Sequence, residues 1–224
     1  MKVIKMFTAA VFSFLATFSM KAQGEDWAKM LTYAKENAGI KVSPKAVLLG
    51  DSITEAWFRA DPEFFKENNL AGRGISGQTT SQILVRMRED VVNLRPKYVV
   101  ILCGFNDIAL NPGHAVSVET AVGSVKSMCD IAKANKIKPI VCSQLPSYRI
   151  SWRPEIQDCY EKVLQFNELL KAYAKEARIP YVDYFNLLAD ENTGRIPEKY
   201  APDTVHPSLE GYKVMEGYIL NFLK

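Results

Sequence analysis

Histidine is scarce in this sequence of 224 residues, which contains only two, His114 and His206. Any chemistry that needs a neutral imidazole must therefore use one of these two side chains. Only His206 has an aspartate three residues upstream, in the segment Asp203-Thr204-Val205-His206-Pro207. Two well-separated histidines, and the lack of any C-x-x-C pair, argue against a zinc site. We therefore expect neither a metal nor a cofactor.

Cysteine is also sparse, with four residues in the whole chain. Cys103 and Cys142 lie in apolar, strand-like runs, whereas Cys129 and Cys159 lie in helical patterns. An exported protein with an even number of cysteines can form disulfides. Cysteines inside strands are more often small buried apolar residues. The sequence leaves the disulfide question open.

An excess of charge of one sign is absent outside the N-terminus. The formal net charge is +3, and Lys2, Lys5 and Lys21 are the only charged residues in the first 22. The rest of the chain is therefore formally neutral. Charge gives no reason to expect nucleic acid or an anionic membrane as a partner.

No apolar run reaches the roughly 20 residues needed to cross a bilayer. The apolar segment from Met6 to Phe18 follows Lys2 and Lys5 and precedes a plausible cleavage point at Ala22-Gln23. This pattern is typical of a secretory signal peptide, although a short membrane anchor is an alternative. We expect residues 1–22 to be removed and the protein to be exported, to the periplasm or outside the cell, without stable membrane insertion.

Internal repeats and low-complexity linkers are missing, so residues 23–224 should form one domain. Short apolar runs predict buried strands, and amphipathic patterns between them predict helices. The strands are expected at Ala46–Leu49, Leu70–Ile75, Tyr98–Cys103, Pro139–Cys142 and Pro180–Phe185, and the helices over Ile83–Leu94, Val118–Ala132, Ile156–Tyr173 and Leu209–Phe222. This alternation favours an α/β fold with a parallel sheet and helices on both faces.

A candidate nucleophile follows the first predicted strand, where Gly50-Asp51-Ser52 ends the apolar run. Ligands of parallel sheets bind beyond the carboxyl ends of the strands. A serine hydroxyl becomes a good nucleophile when an imidazole takes its proton and a carboxylate orients that imidazole. Ser52, His206 and Asp203 could supply these groups, although a lone Gly-Asp-Ser also occurs in ordinary turns and helix caps.

Two later loops contain candidate donors for an oxyanion. Gly77 lies in the loop after the second strand, and Asn106 lies in Gly104-Phe105-Asn106-Asp107 after the third. A glycine lets a backbone N–H approach closely, and an asparagine amide is a neutral donor. Each residue taken alone is more typical of a turn.

These four blocks, Gly-Asp-Ser, a later glycine, Gly-x-Asn-Asp and Asp-x-x-His, resemble in type and order the SGNH hydrolase superfamily, or GDSL esterase/lipase family. The resemblance implies a three-layer α/β/α sandwich with about five parallel strands, of the flavodoxin-like type. It implies Ser52 as nucleophile, Asp203 and His206 as acid and base, and Ser52 N–H, Gly77 N–H and the Asn106 amide as the oxyanion hole. The activity implied is hydrolysis of carboxylic esters through an acyl-enzyme.

The chain also resembles exported members similar to platelet-activating-factor acetylhydrolases and carbohydrate acetylesterases, through residues 73–80, Leu145-Pro146 and Trp152-Arg153-Pro154. We therefore expect a small-molecule or glycan ester as substrate, with an O-acetylated carbohydrate preferred over a lysophospholipid. Trp152 could stack on a sugar and Arg153 could bind a carboxylate or phosphate, or both could simply hold the loop in place. The sequence does not indicate an oligomeric state.

Phe105 is a third candidate for the substrate pocket, because it lies beside Asn106 where this family commonly has small residues. Its ring would either narrow the acyl site, which predicts a preference for acetyl groups, or point into the core beneath the strand ends.

Two hypotheses from other classes of protein compete with an esterase. Residues 72–77 match G-x-G-x-x-G, the fingerprint of a dinucleotide-binding loop, but the preceding strand is short and polar and no acidic residue follows at the expected distance. The other is an exported binding module that has lost catalysis, since a fold does not determine a function.

Overall fold

A computed structural model describes residues 26–111 and 114–224. The predicted signal peptide lies outside these residues. Five parallel strands form one sheet in the order β2-β1-β3-β4-β5. The strands are β1 (Ala46–Gly50), β2 (Leu70–Gly74), β3 (Tyr98–Leu102), β4 (Lys138–Cys142) and β5 (Tyr181–Val182).

Helices connect the strands and cover both faces of the sheet. They are α1 (Ala34–Gly39), α2 (Ser52–Ala60), α3 (Pro62–Glu67), α4 (Thr80–Val85), α5 (Met87–Asp90), α6 (Phe105–Ile108), α7 (Val118–Ala134), α8 (Cys159–Glu176), α9 (Tyr184–Leu188) and α10 (Leu209–Ile219), with 3₁₀ turns at Val92–Leu94 and Leu220–Phe222. Among the described residues, no helix is long and apolar enough to cross a membrane.

The core has two halves, one on each face of the sheet. Alternate strand residues such as Val47 and Ile101 pack against α4, α5, α7 and α8. Their neighbours, such as Leu48 and Val100, pack against α2, α3, α9 and α10. Because both faces are covered, every residue of β1, β2 and β3 is buried. The expected three-layer α/β/α sandwich is confirmed.

Three of the predicted elements need comment, because their bounds differ from the structure for identifiable reasons or by several residues. The last strand ends at Val182 because the Asp183 carboxylate accepts a hydrogen bond from the Asn186 N–H and so begins α9. Ile156 lies in the loop before α8. The helix predicted over Ile83–Leu94 is broken at Arg86, whose buried guanidinium donates to the carbonyl oxygens of Gly50 and Arg73.

The four cysteines are buried, and none is paired in a disulfide. Burial raises the pKa of Cys103, Cys129, Cys142 and Cys159. Their thiols therefore behave as small apolar groups of the core.

Candidate active site

The loops that follow β1, β2 and β3 lie together at the carboxyl edge of the sheet, because these parallel strands are neighbours. Ser52 is the first residue of α2, directly after Asp51, the helix N-cap. The Asp51 carboxylate accepts a hydrogen bond from the Ile53 N–H at 3.0 Å. This cap starts the helix at Ser52 and leaves its half-buried hydroxyl at the edge of the sheet.

Ser52, His206 and Asp203 form a continuous hydrogen-bonded chain. The Nε2 atom of His206 lies 2.9 Å from Ser52 Oγ, and Nδ1 lies 2.6 Å from Oδ2 of Asp203. The other Asp203 oxygen, Oδ1, accepts hydrogen bonds from the Val205 and His206 backbone N–H groups at 2.9 and 2.7 Å. This local turn explains the three-residue spacing, because it folds the carboxylate back onto the ring of His206.

The helix after His206 is fastened to the helix that begins with Ser52. The Tyr212 hydroxyl of α10 donates to the Ile53 carbonyl of α2 at 2.8 Å, and the Trp57 indole N–H of α2 donates to Glu216 of α10 at 3.1 Å. The Trp57 and Tyr212 rings are stacked, with centroids 5.5 Å apart. These buried contacts fix the position of His206 relative to Ser52.

The electrostatics of Asp203 and His206 favour a basic imidazole and an ionised aspartate. Burial alone would raise the pKa of Asp203, but hydrogen bonds from the His206 ring and from two backbone N–H groups lower it to about 2. The hydrogen bond to Asp203 raises the pKa of His206 above its ordinary value of 6.5, against the opposing effect of burial. Asp203 therefore holds the Nδ1–H tautomer and leaves Nε2 free to accept the Ser52 proton.

Gly77 and Asn106, the two predicted oxyanion donors outside the serine segment, are linked by hydrogen bonds to Asn111. The Asn106 amide donates to the Gln78 carbonyl at 3.0 Å, and Asn111 Nδ2 donates both to Asn106 Oδ1 at 3.0 Å and to the Gly77 carbonyl at 2.7 Å. These bonds fix which end of the Asn106 amide is the donor, and its second N–H has no partner among the residues that the structure describes. Gly77 has φ of +81°, which a residue with a side chain adopts only with strain.

The backbone N–H groups of Ser52 and Gly77 donate no hydrogen bond within the described part of the chain. They and the Asn106 amide are thus three available donors at the edge of the sheet where Ser52 lies. Such a set can stabilise the negative charge that develops on a carbonyl oxygen when a hydroxyl attacks it.

Two buried carboxyl groups, those of Asp51 and Asp107, lie next to the candidate site residues Ser52 and Asn106 in the sequence. Asp107 accepts hydrogen bonds from the Thr80 N–H and hydroxyl at 2.9 and 3.3 Å, and burial raises its pKa to about 6. Burial also raises the pKa of Asp51, to about 7. Asp107 lies in α6, directly after β3, and its bonds to Thr80 connect α6 to the start of α4. They therefore fix the segment with Asn106 relative to the segment with Gly77.

Phe105 does not line the candidate site. Its side chain is 3% exposed and packs in the core with Phe166 of α8 and neighbouring apolar residues. Of the two interpretations of this residue, the structure favours the core position, since almost none of Phe105 is exposed where an acyl group could contact it.

Trp152 lies at the candidate site, whereas the Arg153 side chain binds other residues of the protein. The Trp152 indole is stacked on the His206 ring, with centroids 5.7 Å apart and an interplanar angle of 27°, and 44% of Trp152 is exposed. Arg153 pairs with Glu155 at 2.5 Å and donates to the Leu110 carbonyl at 3.1 Å. The Arg153 guanidinium therefore fastens its loop to the loop after β3.

His114 is not part of the hydrogen-bonded chain. Its ring lies beside Trp27, with centroids 5.5 Å apart, and its carbonyl accepts a hydrogen bond from Ser81.

Some residues that support the site were not predicted from the sequence as site residues, namely Asn111, Gln78, Thr80 and Arg86. Their long-range partners have no signal in the sequence, although Asn111 occurs in the same loop as Asn106.

The glycines of the G-x-G-x-x-G match serve close packing rather than a phosphate loop. A Cβ on Gly74 would lie 2.2 Å from the Glu55 nitrogen and 2.6 Å from the Asp51 carbonyl oxygen. Gly72 and Gly74 lie within β2, and α4 begins only at Thr80. The lack of a side chain at Gly74 therefore lets β2 lie against the start of α2. No group of three or more potential metal ligands occurs among the residues described.

Comparison with known proteins identifies the family. Residues 48–214 match the GDSL-like Lipase/Acylhydrolase family, so the chain belongs to that family, and the resemblance to SGNH hydrolases is confirmed. A GDSL-like lipase structure from Bacteroides thetaiotaomicron is 43% identical, with a TM-score of 0.83, over 88% of this chain and 97% of that chain.

Two acetylxylan esterase matches come from Geobacillus stearothermophilus. One relative is 24% identical over 154 residues, which are 65% of this chain and 68% of that protein. The structure of a catalytic mutant of an acetylxylan esterase covers 82% of this chain and 95% of that chain, at 20% identity and a TM-score of 0.60, which shows a shared fold. Family and relatives together define the chain as a carboxylic-ester hydrolase.

Proposed function

We propose that the protein is a serine esterase in which Ser52 forms an acyl-enzyme. The observation that carries this proposal is the chain from Ser52 Oγ to His206 Nε2 at 2.9 Å and from His206 Nδ1 to Asp203 at 2.6 Å. His206 takes the Ser52 proton as Oγ attacks the ester carbonyl. The imidazolium then gives that proton to the departing alkoxide, and Asp203 stabilises the positive ring.

The oxyanion of each tetrahedral intermediate is bound by Ser52 N–H, Gly77 N–H and the free N–H of Asn106. Asn111 holds two of these donors in place before the substrate arrives, so little reorganisation is needed during the reaction. In the second half-reaction His206 removes a proton from water. That water attacks the acyl carbonyl, and Ser52 leaves with its proton restored.

We propose an acetyl ester of a carbohydrate as the substrate. The acetylxylan esterase relative supports the acetyl group and the glycan. The exposed indole of Trp152 beside His206 supports a sugar on the leaving-group side, because aromatic faces pack well on sugar rings. A lysophospholipid remains the second candidate, since the matched family includes lipases.

Labelling with a fluorophosphonate tests the serine mechanism. The wild-type protein should be labelled at one residue, Ser52, and the Ser52→Ala variant should not be labelled. An unlabelled wild type would instead support an inactive binding module. Acetate release from acetylated glycans, compared with fatty-acid release from lysophospholipids, tests the substrate. Faster hydrolysis of lysophospholipids would reject the carbohydrate proposal.

We also propose that the chain is exported after removal of residues 1–22. Lys2, Lys5 and the apolar segment from Met6 to Phe18 support this proposal. Expression of the full sequence in a bacterium, followed by fractionation and N-terminal sequencing, tests it. A mature protein that begins near Gln23 outside the cytoplasm is expected, and an uncleaved cytoplasmic chain would contradict export.

A further inference from the structure

The position of His206 indicates which side of the site receives the alcohol half of the ester. In a serine esterase the base that takes the nucleophile's proton later returns it to the departing alkoxide. The alcohol half must therefore leave from the His206 side of Ser52. Residues that surround His206 are the ones that contact this half of the substrate.

Two loops form the His206 side of the site. The Thr204 hydroxyl donates to the Arg149 carbonyl at 2.8 Å, and the Ile196 N–H donates to the Pro146 carbonyl at 3.0 Å. Trp152, three residues after Arg149, is stacked on the His206 ring. Residues 146–153 and 195–206 are thus held together beside the candidate base.

Two arginines of these loops pack on one tyrosine ring. The guanidinium carbon of Arg195 lies 4.8 Å from the centroid of the Tyr148 ring, and that of Arg149 lies 5.7 Å from it. Both arginines are exposed, and Tyr148 is half-buried. A guanidinium that packs on an aromatic face keeps the N–H donors along its edge free for a ligand.

The charges of these two arginines are not neutralised by a carboxylate in the described residues. Arg153 of the same loop differs, since it forms an ion pair with Glu155. An arginine is suited to binding a planar carboxylate through two parallel hydrogen bonds. Arg149 and Arg195 therefore provide positive charge and planar donors on the side of the site that receives the alcohol half.

We propose that Arg149 and Arg195 bind a carboxylate on the alcohol half of the substrate, which makes that half an acidic sugar, a uronate with an O-acetyl group. This inference rests on the proposed function, because it uses His206 as the base. Trp152 would contact the face of a sugar unit next to the scissile ester, and the two arginines would bind the carboxylate of that unit or of its neighbour. The reaction itself remains hydrolysis of the acetyl ester to acetate and a free hydroxyl.

Matched substrates test this proposal directly. The acidic substrate is an O-acetylated oligogalacturonate, and the control is the same oligomer with its carboxyl groups methyl-esterified. Acetate release is measured for both. We expect wild-type kcat/KM to be about tenfold or more higher for the acidic oligomer, mainly through a lower KM, since hydrogen bonds between charged groups are the stronger ones. The ratio of kcat/KM for the acidic oligomer to kcat/KM for the methyl-esterified oligomer should decrease when salt is raised from about 20 to about 200 mM.

Variants assign the preference to the two arginines. In Arg149→Gln/Arg195→Gln the ratio between the two oligomers should approach one. Arg178→Gln removes an exposed arginine at the opposite end of the sheet and should keep the wild-type ratio. Thermal melting of all variants checks that the fold is retained.

Three outcomes would overturn the proposal. These are a wild-type ratio near one, a ratio that survives in the double variant, and a ratio lost equally in Arg178→Gln. Hydrolysis of 4-nitrophenyl acetate by the wild type separates this failure from a failure of the proposed function. A wild type that hydrolyses nitrophenyl acetate but shows no preference for the acidic oligomer loses only the uronate proposal, whereas one that is inactive on every ester loses both.

Discussion

Ser52 and His206 are separated by 154 positions in the sequence, yet Ser52 Oγ and His206 Nε2 lie 2.9 Å apart. The other histidine, His114, lies beside Trp27 and has no place in this chain of hydrogen bonds. We therefore predict that His206→Ala lowers kcat by about 10³ or more, as the loss of a base in a triad does.

His114→Ala is the matched control for this variant and should keep kcat within about twofold of the wild type, because surface substitutions away from a site have small effects. Steady-state kinetics with 4-nitrophenyl acetate measure both. Equal losses in the two variants would mean that His206 is not the specific base.

The pH profile should follow the protonation of His206. Only the neutral ring can accept the Ser52 proton, so kcat/KM should rise with pH through the pKa of His206. The hydrogen bond to Asp203 raises that pKa above 6.5, and the midpoint should therefore lie above 6.5. Asp203→Asn removes the negative partner, so the midpoint should move to lower pH and kcat should decrease by about 10³ or more. A midpoint that does not move in Asp203→Asn would contradict the assignment.

We predict that kcat decreases more in Asn106→Ala than in Asn111→Ala, because only Asn106 is itself an oxyanion donor. Asn106→Ala removes a donor itself and should lower kcat by about 10² to 10³. Asn111→Ala leaves every donor in place but frees the Asn106 amide and the Gly77 carbonyl. We expect a smaller decrease in kcat, with KM for nitrophenyl acetate nearly unchanged.

Asn111→Asp is a second variant at this position, because its ionised carboxylate can no longer donate to Asn106 Oδ1 or to the Gly77 carbonyl. It should decrease kcat at least as much as Asn111→Ala, provided that thermal melting shows a folded protein. An unchanged kcat in both variants would remove Asn111 from a positioning role.

The sequence predicted those features that depend on local pattern. The strands from Ala46 and Tyr98 are continuous apolar runs, and parallel strands place their following loops at one edge, so Ser52 and Asn106 could be assigned to that edge. The turn that joins Asp203 to His206 is also local. These features are set by neighbours in the chain.

Contacts between distant segments could not be predicted in this way. Arg86 looks like a solvent-exposed residue of an amphipathic helix, yet its side chain is fully buried and pairs with Asp90 at 2.5 Å. Asn111 looks like a turn residue, and its partners lie 5 and 34 positions away. Arg149 and Arg195 are brought to one tyrosine by the folding of two loops. Periodicity carries no information on such pairings.

The position of Phe105 predicts an effect on stability rather than on acyl-chain selectivity. The ring is 3% exposed in the core, so Phe105→Ala should lower the free energy of unfolding by about 3 to 5 kcal/mol. The ratio of activities on acetyl and butyryl esters should not change, since the cavity would open beneath the strand ends. Urea unfolding and acyl-length profiles measure the two effects. A shift toward butyryl or hexanoyl esters with little loss of stability would restore the acyl-pocket interpretation.

Asp51 predicts a dependence of stability on pH. Its side chain is 1% exposed, Oδ1 caps α2, and Oδ2 has no hydrogen-bond partner in the described part of the chain. Burial raises its pKa from 3.8 to about 7, so between these values the folded protein holds a proton that the unfolded chain has released. Because the unfolded state binds fewer protons there, this group makes stability decrease as pH rises.

Asp51→Asn keeps the size and the capping oxygen of the side chain but does not ionise. The free energy of unfolding of the wild type minus that of Asp51→Asn should therefore decrease between about pH 4 and pH 8, by up to about 4 kcal/mol. The shift at Asp107 is present in both proteins and cancels in this difference. Urea unfolding at four or more pH values measures it. A difference that stays constant with pH would show that Asp51 titrates alike in the folded and unfolded states, and one that increases with pH would mean that its charged form is stabilised by the fold.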